Sequence, residues 1–235
     1  MIKAVLFDLD GTLLPMDLEI FFREYMHGIS KKLAPYGYEP EKLVKCIFGG
    51  TMAMIKNDGR ATNEQVFWQF FEATYGKACR GDEPHFEEFY KNEFQDIQKV
   101  CGYTPKSREV LDILHAKSIP AVLATSPIFP AIATESRMRW AGVCPEDFVL
   151  YTTYENISFT KPNPEYYREI CRRIGLAPEE CLMVGNDVDD DMIAQSIGME
   201  VFLLTDCLIN KDCADISQYP NGNFDNLIEY IKENI

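Results

Sequence analysis

The hydrophobic and polar positions of this chain follow two different periodicities, one set inside the other. From about residue 16 to 98, apolar residues recur at steps of three and four, which is the spacing of one face of a helix. Thr62 and Gln65 have the spacing of a capping box, which predicts that one helix begins at Thr62. The segment therefore predicts a block of packed helices.

From about residue 104 the pattern changes to helices that alternate with short apolar runs. Strand–helix alternation implies a parallel sheet covered on both faces by helices, which is an α/β fold. The predicted strands are residues 4–7, 119–124, 148–151, 181–184 and 201–204. The helices predicted in this part of the chain are residues 110–114, 166–174, 192–197 and 224–231.

The helical block lies between the first predicted strand and all of the others. The sequence therefore predicts a parallel-sheet core made of residues 1–15 and 100–235, with residues 16–99 inserted as a helical cap. Ligands of parallel α/β sheets bind beyond the carboxyl ends of the strands. We expect the cap to cover that edge of the sheet as a lid.

Charge and composition exclude several classes of protein. The formal net charge of −14 disfavours nucleic acid and anionic membranes as partners, because both are bound through basic patches. No stretch approaches the roughly 18 apolar residues of a membrane-spanning helix, and the N-terminus lacks the pattern of a secretory signal. The eight cysteines include no C-x-x-C pair. We expect a cytoplasmic protein that is a monomer or a weak dimer.

Two carboxylates directly follow the first predicted strand. Asp8 and Asp10 are two positions apart and project to the same side, and Gly11 then permits a tight turn. Buried carboxylates this close repel each other unless a cation or a shared proton compensates. The pair indicates a metal ion and paired nucleophile and acid/base roles. A solvated acidic turn is the alternative that two residues alone leave open.

Two later strand ends carry further candidate groups. Thr125 and Ser126 follow the second predicted strand, although a plain turn before Pro127 would also explain them. Lys161 lies just before a helix that Asn163 caps and Pro164 begins. The N-terminus of a helix is electropositive and suits an anion, so Lys161 is a candidate anion-binding residue.

The segment 186–191 follows the fourth predicted strand and holds four aspartates in five positions. Their alternation imitates the opening of an EF-hand calcium loop. That loop needs a glycine and a glutamate at positions where this chain has Met192 and Gly198, so the calcium interpretation fails.

In chain order, these motifs resemble the four signatures of the haloacid dehalogenase superfamily. Asp8-Leu9-Asp10-Gly11-Thr12 resembles the D-x-D-G-T signature of its phosphatase members, and the strand ending in Thr125 resembles the second signature. The run from Lys161 to Glu165 resembles the third, and segment 186–191 resembles the fourth. In the fourth, Asn186 stands where the first aspartate is usual, and Asp187 follows it.

The resemblance implies a Rossmann-like core with a type-1 helical cap, and phosphoryl transfer through an aspartyl-phosphate. Asp8 would be the nucleophile, and Asp10 the general acid and base. Thr125 and Ser126 would bind phosphoryl oxygens, and Lys161 would bridge Asp8 and the phosphoryl group.

The resemblance also implies Mg²⁺ as cofactor, held by Asp8, the Asp10 backbone carbonyl and either Asn186 or Asp187. Asp187 is slightly preferred, because a carboxylate attracts the cation more strongly than a neutral amide. Asp190 and Asp191 would lie next to these ligands without binding the metal directly.

The predicted function is a Mg²⁺-dependent phosphatase that acts on a small phosphorylated metabolite. An aspartate at position 10 favours phosphate chemistry over dehalogenation, because a departing alkoxide needs an acid and a halide does not. A phosphomutase would use the same four motifs and stays open. A phosphorylatable receiver-like signalling module is a further alternative, but such modules are shorter and carry no helical insertion.

Overall fold

A computed structural model describes all residues from Met1 to Ile235 and contains one six-stranded sheet. The strands are β1 Ala4–Phe7, β2 Ala121–Leu123, β3 Leu150–Tyr151, β4 Cys181–Gly185, β5 Glu200–Leu204 and β6 Asn221–Gly222. Their spatial order is β3-β2-β1-β4-β5-β6, and every neighbouring pair is parallel. The predicted α/β fold with a parallel sheet is confirmed. The sequence pattern missed β6, which has two residues and no apolar run.

Eight α-helices surround or extend from this sheet. They are α1 Leu18–Leu33, α2 Pro40–Ile55, α3 Asn63–Tyr75, α4 Glu83–Lys91, α5 Lys106–Ala116, α6 Ala131–Trp140, α7 Pro164–Ile174 and α8 Phe224–Asn234. Short 3₁₀ helices span Ala34–Tyr36, Lys77–Asp82, Glu93–Val100, Pro145–Asp147, Pro178–Glu180 and Met192–Ile197.

Local signals fix the starts of several helices. The predicted capping box is present, since the Thr62 hydroxyl accepts from the Gln65 N–H and the Gln65 side chain accepts from the Thr62 N–H. The apolar positions Phe86, Phe89, Tyr90, Phe94 and Ile97 have helical spacing but belong to two elements, because the backbone at Asn92 leaves the helical region and α4 ends there.

The strand at the centre of the sheet positions the candidate residues. All four residues of β1 are buried, and Phe7 lies opposite Leu123 of β2 and Val184 of β4. The chain segments that follow β1, β2 and β4 therefore leave the sheet side by side at one edge. This edge is where ligands of parallel α/β sheets bind.

The helices between β1 and β2 share a hydrophobic core with the sheet. One cluster of 43 buried residues runs from the face of the sheet that carries Phe7 to cap residues such as Phe21 and Phe71. A second cluster of 17 residues lies on the opposite face. The segments that lead into and out of the cap lie against each other, since Met16 and Cys101 form a β-bridge. We therefore propose that the chain consists of a core of residues 1–15 and 100–235 and a cap of residues 16–99.

All eight cysteines are unpaired. None of the helices combines the length and the apolar character that crossing a bilayer requires.

Candidate active site

The loop after β1 is folded tightly against the end of the sheet. The Asp8 N–H donates to the Val184 carbonyl, and the Gly11 N–H donates across the loop to the Leu14 carbonyl. Gly11 has φ +88°, and a side chain there would collide with the amide of Asn186. Glycine is therefore required at this position both for its backbone conformation and for the close approach of Asn186.

Asp8 and Lys161 form the centre of a buried charged group. Lys161 Nζ donates to Asp8 Oδ1 at 2.8 Å and to Asp191 Oδ1 at 2.6 Å. The Lys161 side chain is only 2% exposed. Burial alone would lower the pKa of Lys161, but Asp191 and Asp8 outweigh it and hold that pKa well above the ordinary value. One permanent ammonium therefore bridges two carboxylates.

The chain around Lys161 holds the side chain in place. Asn163 accepts a hydrogen bond from the Glu165 N–H and caps α7, and Pro164 is the first residue of that helix, as the sequence predicts. On the far side, Asp191 Oδ2 accepts from the Asp187 N–H, and no side chain at position 185 would fit beside this carboxylate. Asp191 thus orients Lys161 and is itself fixed by the backbone.

Asp10 lies across from Asp8 and pairs with an arginine. Arg137 Nη1 donates to Asp10 Oδ2. The other carboxyl oxygen of Asp10, Oδ1, is buried without a hydrogen-bond partner. Burial raises the pKa of Asp10 to about 6, although Arg137 opposes this shift. A carboxyl with this pKa retains a protonated fraction near neutral pH.

Arg137 is a site residue that the sequence motifs did not indicate. It is completely buried within α6, where it also donates to the Ala133 carbonyl, and its guanidinium lies 4.5 Å from the centre of the Phe129 ring. Arg139, two positions later, is exposed. No local pattern distinguishes these two arginines, because only tertiary packing brings α6 against the loop that carries Asp10.

Thr125 and Ser126 occupy the end of β2 beside Asp8. The Thr125 carbonyl accepts hydrogen bonds from the Thr152 hydroxyl at 2.6 Å and from the Tyr166 hydroxyl at 2.9 Å. Thr125 is buried and Ser126 is half-buried. The two bonds to the carbonyl fix the backbone at Thr125. The Thr125 hydroxyl itself makes no hydrogen bond within the protein.

Asn186 and Asp187 have different surroundings. The Asn186 amide oxygen accepts from the Thr12 hydroxyl at 3.0 Å, and its amide nitrogen donates to the Cys207 carbonyl at 2.6 Å. Asp187 accepts backbone N–H groups of residues 189 and 190 through Oδ1 alone. Asn186 therefore holds two loops together, whereas Asp187 retains a carboxylate oxygen that makes no hydrogen bond.

One cavity of about 320 Å³ brings all of the sequence-predicted residues together. Its polar wall consists of Asp8, Asp10, Thr125, Ser126, Lys161, Asn186, Asp187, Asp190, Asp191 and Lys211. The remaining wall is apolar and includes Leu18 and Phe22 from α1 and Ile55 from α2. Every candidate residue named from the sequence thus faces the same space, and Lys211 is an additional cation that the motifs did not indicate.

The donor set of this cavity fits a hard divalent cation. No group of three or more His, Cys, Asp or Glu side chains is arranged to hold a metal by itself. Two carboxylates, Asp8 and Asp187, line the cavity together with an amide oxygen, and each carboxylate has an oxygen without a hydrogen-bond partner. Few protein oxygens, completed by water and a phosphate, are what Mg²⁺ prefers.

Comparison with known proteins identifies the family. A family model of haloacid dehalogenase-like hydrolases matches residues 2–198, which is most of the chain. The chain therefore belongs to the haloacid dehalogenase-like hydrolases. This match and the phosphatases among its relatives confirm the prediction of a phosphatase-type enzyme of that superfamily.

Individual relatives are distant but cover most of the chain. The chain is 28% identical to hexitol phosphatase A of Escherichia coli, over 77% of this chain and 73% of that protein. It is 24% identical to a phosphoglycolate phosphatase of Shigella dysenteriae, over 92% and 86% of the two chains. A crystal structure of 2-haloacid dehalogenase from Pseudomonas syringae superposes with a TM-score of 0.61 at 22% identity over 99% of both chains, which shows a shared fold.

Proposed function

We propose that this protein is a Mg²⁺-dependent phosphatase that hydrolyses a small phosphomonoester through an aspartyl-phosphate on Asp8. The observation that carries the proposal is the arrangement of Asp8, Asp10 and Lys161 in one cavity at the carboxyl edge of the sheet. The phosphatases among the relatives support the same reaction.

The nucleophile of the first step is the Asp8 carboxylate. Its oxygen forms a bond to phosphorus while the bond from phosphorus to the ester oxygen breaks, so one difficult displacement is split into two easier ones. Lys161 lies within hydrogen-bond distance of Asp8 and has its charge balanced by Asp191. It is placed to neutralise charge on the phosphoryl oxygens as they approach Asp8, together with the Thr125 hydroxyl.

Asp10 donates a proton to the leaving group in the first step and accepts a proton from water in the second. Its protonated carboxyl gives a proton to the departing ester oxygen, which leaves as the alcohol. The resulting carboxylate then takes a proton from water as the water attacks phosphorus and the bond to Asp8 breaks, releasing inorganic phosphate. The pKa of about 6 suits both tasks, because general acid–base catalysis works best when the pKa lies near the working pH.

The cation would be held by the Asp8 carboxylate, the Asp10 backbone carbonyl and Asp187. Asn186 would keep the Asp187 loop in register by joining it to Thr12 and Cys207. When bound, Mg²⁺ supplies positive charge that stabilises the phosphoryl oxygens in the transition state. We propose that the protein acts in the cytoplasm on a small phosphorylated metabolite.

The test is release of inorganic phosphate from a panel of phosphomonoesters with Mg²⁺ and with EDTA. We expect release that EDTA abolishes and that excess Mg²⁺ restores. Asp8→Asn should be inactive, and Asp189→Asn is the matched control, because Asp189 is exposed and lies outside the cavity. Full activity in EDTA would overturn the metal assignment, and an active Asp8→Asn enzyme would overturn the nucleophile.

The same panel separates a phosphatase from a phosphomutase. A mutase returns the phosphoryl group to a second position of its substrate, so it produces an isomeric ester and little free phosphate. Acid quenching during turnover of ³²P-labelled ester should trap label on the wild-type chain. Isomerisation without phosphate release would contradict the proposed hydrolysis while keeping the aspartyl-phosphate.

A further inference from the structure

The cap contributes only apolar side chains to the cavity of about 320 Å³ that holds Asp8 and Lys161, which we call the catalytic cavity. Of the cavity-lining residues between positions 16 and 99, all three are apolar, namely Leu18, Phe22 and Ile55. The charged and polar groups all come from the core. The part of a substrate that faces the cap therefore meets no side chain that could bind a carboxylate, a sugar hydroxyl or a second phosphate.

A second cavity of about 100 Å³ lies next to the first and shares three lining residues with it, Phe22, Ile128 and Phe129. No charged side chain lines this second cavity, and 13 of its 15 lining residues are hydrophobic. Six of those residues are Phe or Trp rings, contributed by Phe22, Phe48, Phe67, Trp68, Phe86 and Phe129. We call it the aromatic cavity.

Three hydroxyls in the wall of the aromatic cavity are engaged within the protein, whereas the Trp68 Nε1–H is buried without a hydrogen-bond partner. The hydroxyls of Tyr25 and Tyr90 bond to each other at 2.8 Å, and the Thr51 hydroxyl donates to the Ile47 carbonyl. A hydroxylated ligand entering this cavity would lose its hydrogen bonds to water and gain few in return, which is unfavourable. An apolar ring would bury its surface and could take the offset or edge-on contacts that aromatic walls favour.

Resting on the proposed phosphatase function, we propose that the substrate is a phosphomonoester whose alcohol carries an aromatic ring, and that this ring occupies the aromatic cavity. The volume of about 100 Å³ limits the occupant to one ring at most, because an engineered apolar cavity that binds benzene is half as large again, at about 150 Å³. With the phosphoryl group beside Asp8 and Lys161, the ring extends past Phe22 and Phe129 towards Phe48. Phe48 is half exposed, so it lies at the opening of the cavity.

The first test compares benzyl phosphate with a hexitol phosphate and with phosphoglycolate. Each of the three esters leaves as a primary alcohol, so the comparison isolates recognition of the group attached to it. We expect kcat/KM for benzyl phosphate to be at least roughly tenfold higher, which is the discrimination that a small apolar group supplies in an apolar pocket. Equal or higher values for the hexitol phosphate or phosphoglycolate would overturn the aromatic assignment.

The second test uses two neighbouring residues of α2. Phe48 and Met52 lie one turn apart and are 50% and 48% exposed, but only Phe48 lines the aromatic cavity. Phe48→Ala should lower the ratio of kcat/KM for benzyl phosphate over methyl phosphate by roughly tenfold, mainly through KM. Met52→Ala should leave that ratio unchanged. A fall of the same size in both variants would contradict ring binding next to Phe48.

These outcomes distinguish the inference from the proposed function. Hydrolysis of methyl and hexitol phosphates without a preference for the aromatic ester would overturn the inference alone. Failure to release phosphate from any ester, including activated 4-nitrophenyl phosphate, would overturn the phosphatase function and the inference together.

Discussion

Two side-chain clusters, one beside the candidate cavity in the core and one inside the cap, are built on opposite principles. The charged cluster, on the core side, consists of Asp8, Asp10, Arg137, Lys161 and Asp191. The aromatic cluster, in the cap, packs around Phe71, whose ring lies within 6 Å of five other rings, those of Tyr38, Phe67, Trp68, Tyr75 and Phe86. The charged cluster holds ionised side chains in fixed pairs, and the aromatic cluster packs apolar rings away from water.

The difference predicts which residues affect stability and which affect catalysis. Three carboxylates share two cations in the charged cluster, and burying such groups costs free energy that ion pairing only partly repays. Burying aromatic rings is favourable, and their mutual contacts add to it. We therefore expect changes in the charged cluster to act mainly on catalysis, and changes in the aromatic cluster to act mainly on folding.

The largest effect should come from Asp8→Asn. An amide cannot act as the nucleophile, so phosphate release should fall to background. Lys161 keeps its bond to Asp191 in this variant, so Tm should shift by no more than about 4 °C, which corresponds to about 1 kcal/mol in a chain of this size. Thermal melting together with the phosphate assay checks both parts. A collapse of Tm would show that the charged cluster supports the fold as well.

Asp10→Asn should have the next largest effect, and it should depend on the leaving group. Loss of a general acid lowers the rate by about 10²–10⁴-fold when the leaving group needs a proton. Alkyl phosphates should therefore slow by this amount, and 4-nitrophenyl phosphate by much less. Single-turnover rates with both esters measure the contrast. Equal slowing of the two esters would assign Asp10 a structural role.

Phe71→Ala tests whether the aromatic cluster stabilises the fold. Phe71 is fully buried, so its truncation should cost about 3–5 kcal/mol of the free energy of unfolding. The adjacent Phe70 is 37% exposed, and Phe70→Ala should cost about 1 kcal/mol or less. Urea unfolding of both variants gives the two values. A small loss for Phe71→Ala would mean that the cap does not depend on its aromatic cluster.

Asp187, the proposed metal ligand, lies at the edge of the charged cluster. Asp187→Ala should weaken Mg²⁺ binding by about tenfold or more, which corresponds to about 1.4 kcal/mol. Asn186→Ala should weaken it less, because the Asn186 amide is engaged with Thr12 and Cys207. Isothermal titration with Mg²⁺ alone measures both affinities without turnover. The reverse order would show that position after the strand, and not charge, selects the ligand.

The smallest effect concerns an ion pair outside both clusters. Burial alone would raise the pKa of Asp147, but hydrogen bonds from Arg108 and from the Cys144 N–H outweigh it and hold that pKa below its usual value. A lowered folded-state pKa stabilises the protein above the unfolded pKa of about 3.9, and this contribution is lost as pH falls through the folded value. Asp147→Asn should therefore cost about 1 kcal/mol or less at pH 7.

Unfolding curves of wild type and Asp147→Asn between pH 7 and pH 3 test the sign. The difference in stability should shrink as the pH falls, and the activity at pH 7 should be the same. A difference that grows towards low pH would mean that the ion pair does not stabilise the fold.

Much of the charged cluster could be predicted from sequence because its members follow strands directly. Asp8, Thr125 and Asn186 each come within two residues of the end of a parallel strand, and neighbouring strands deliver them to one edge. Lys161 could be predicted because Asn163 and Pro164 mark the helix start beside it. The choice of metal ligand between Asn186 and Asp187 stays a prediction. Order along the chain does not specify contacts with distant segments, such as the hydrogen bonds that join the Asn186 amide to Thr12 and Cys207.

The elements with strong periodicity, the helical insertion after the first strand and most of the charged groups were predictable from the sequence, because these features are local. The pairing of Arg137 with Asp10, 127 positions away, and the position of the Phe22 ring of the cap beside the candidate cavity depend on tertiary packing. Contacts between distant segments depend on how whole helices pack against the sheet. Periodicity specifies which face of a helix is buried, but it does not specify what that face meets.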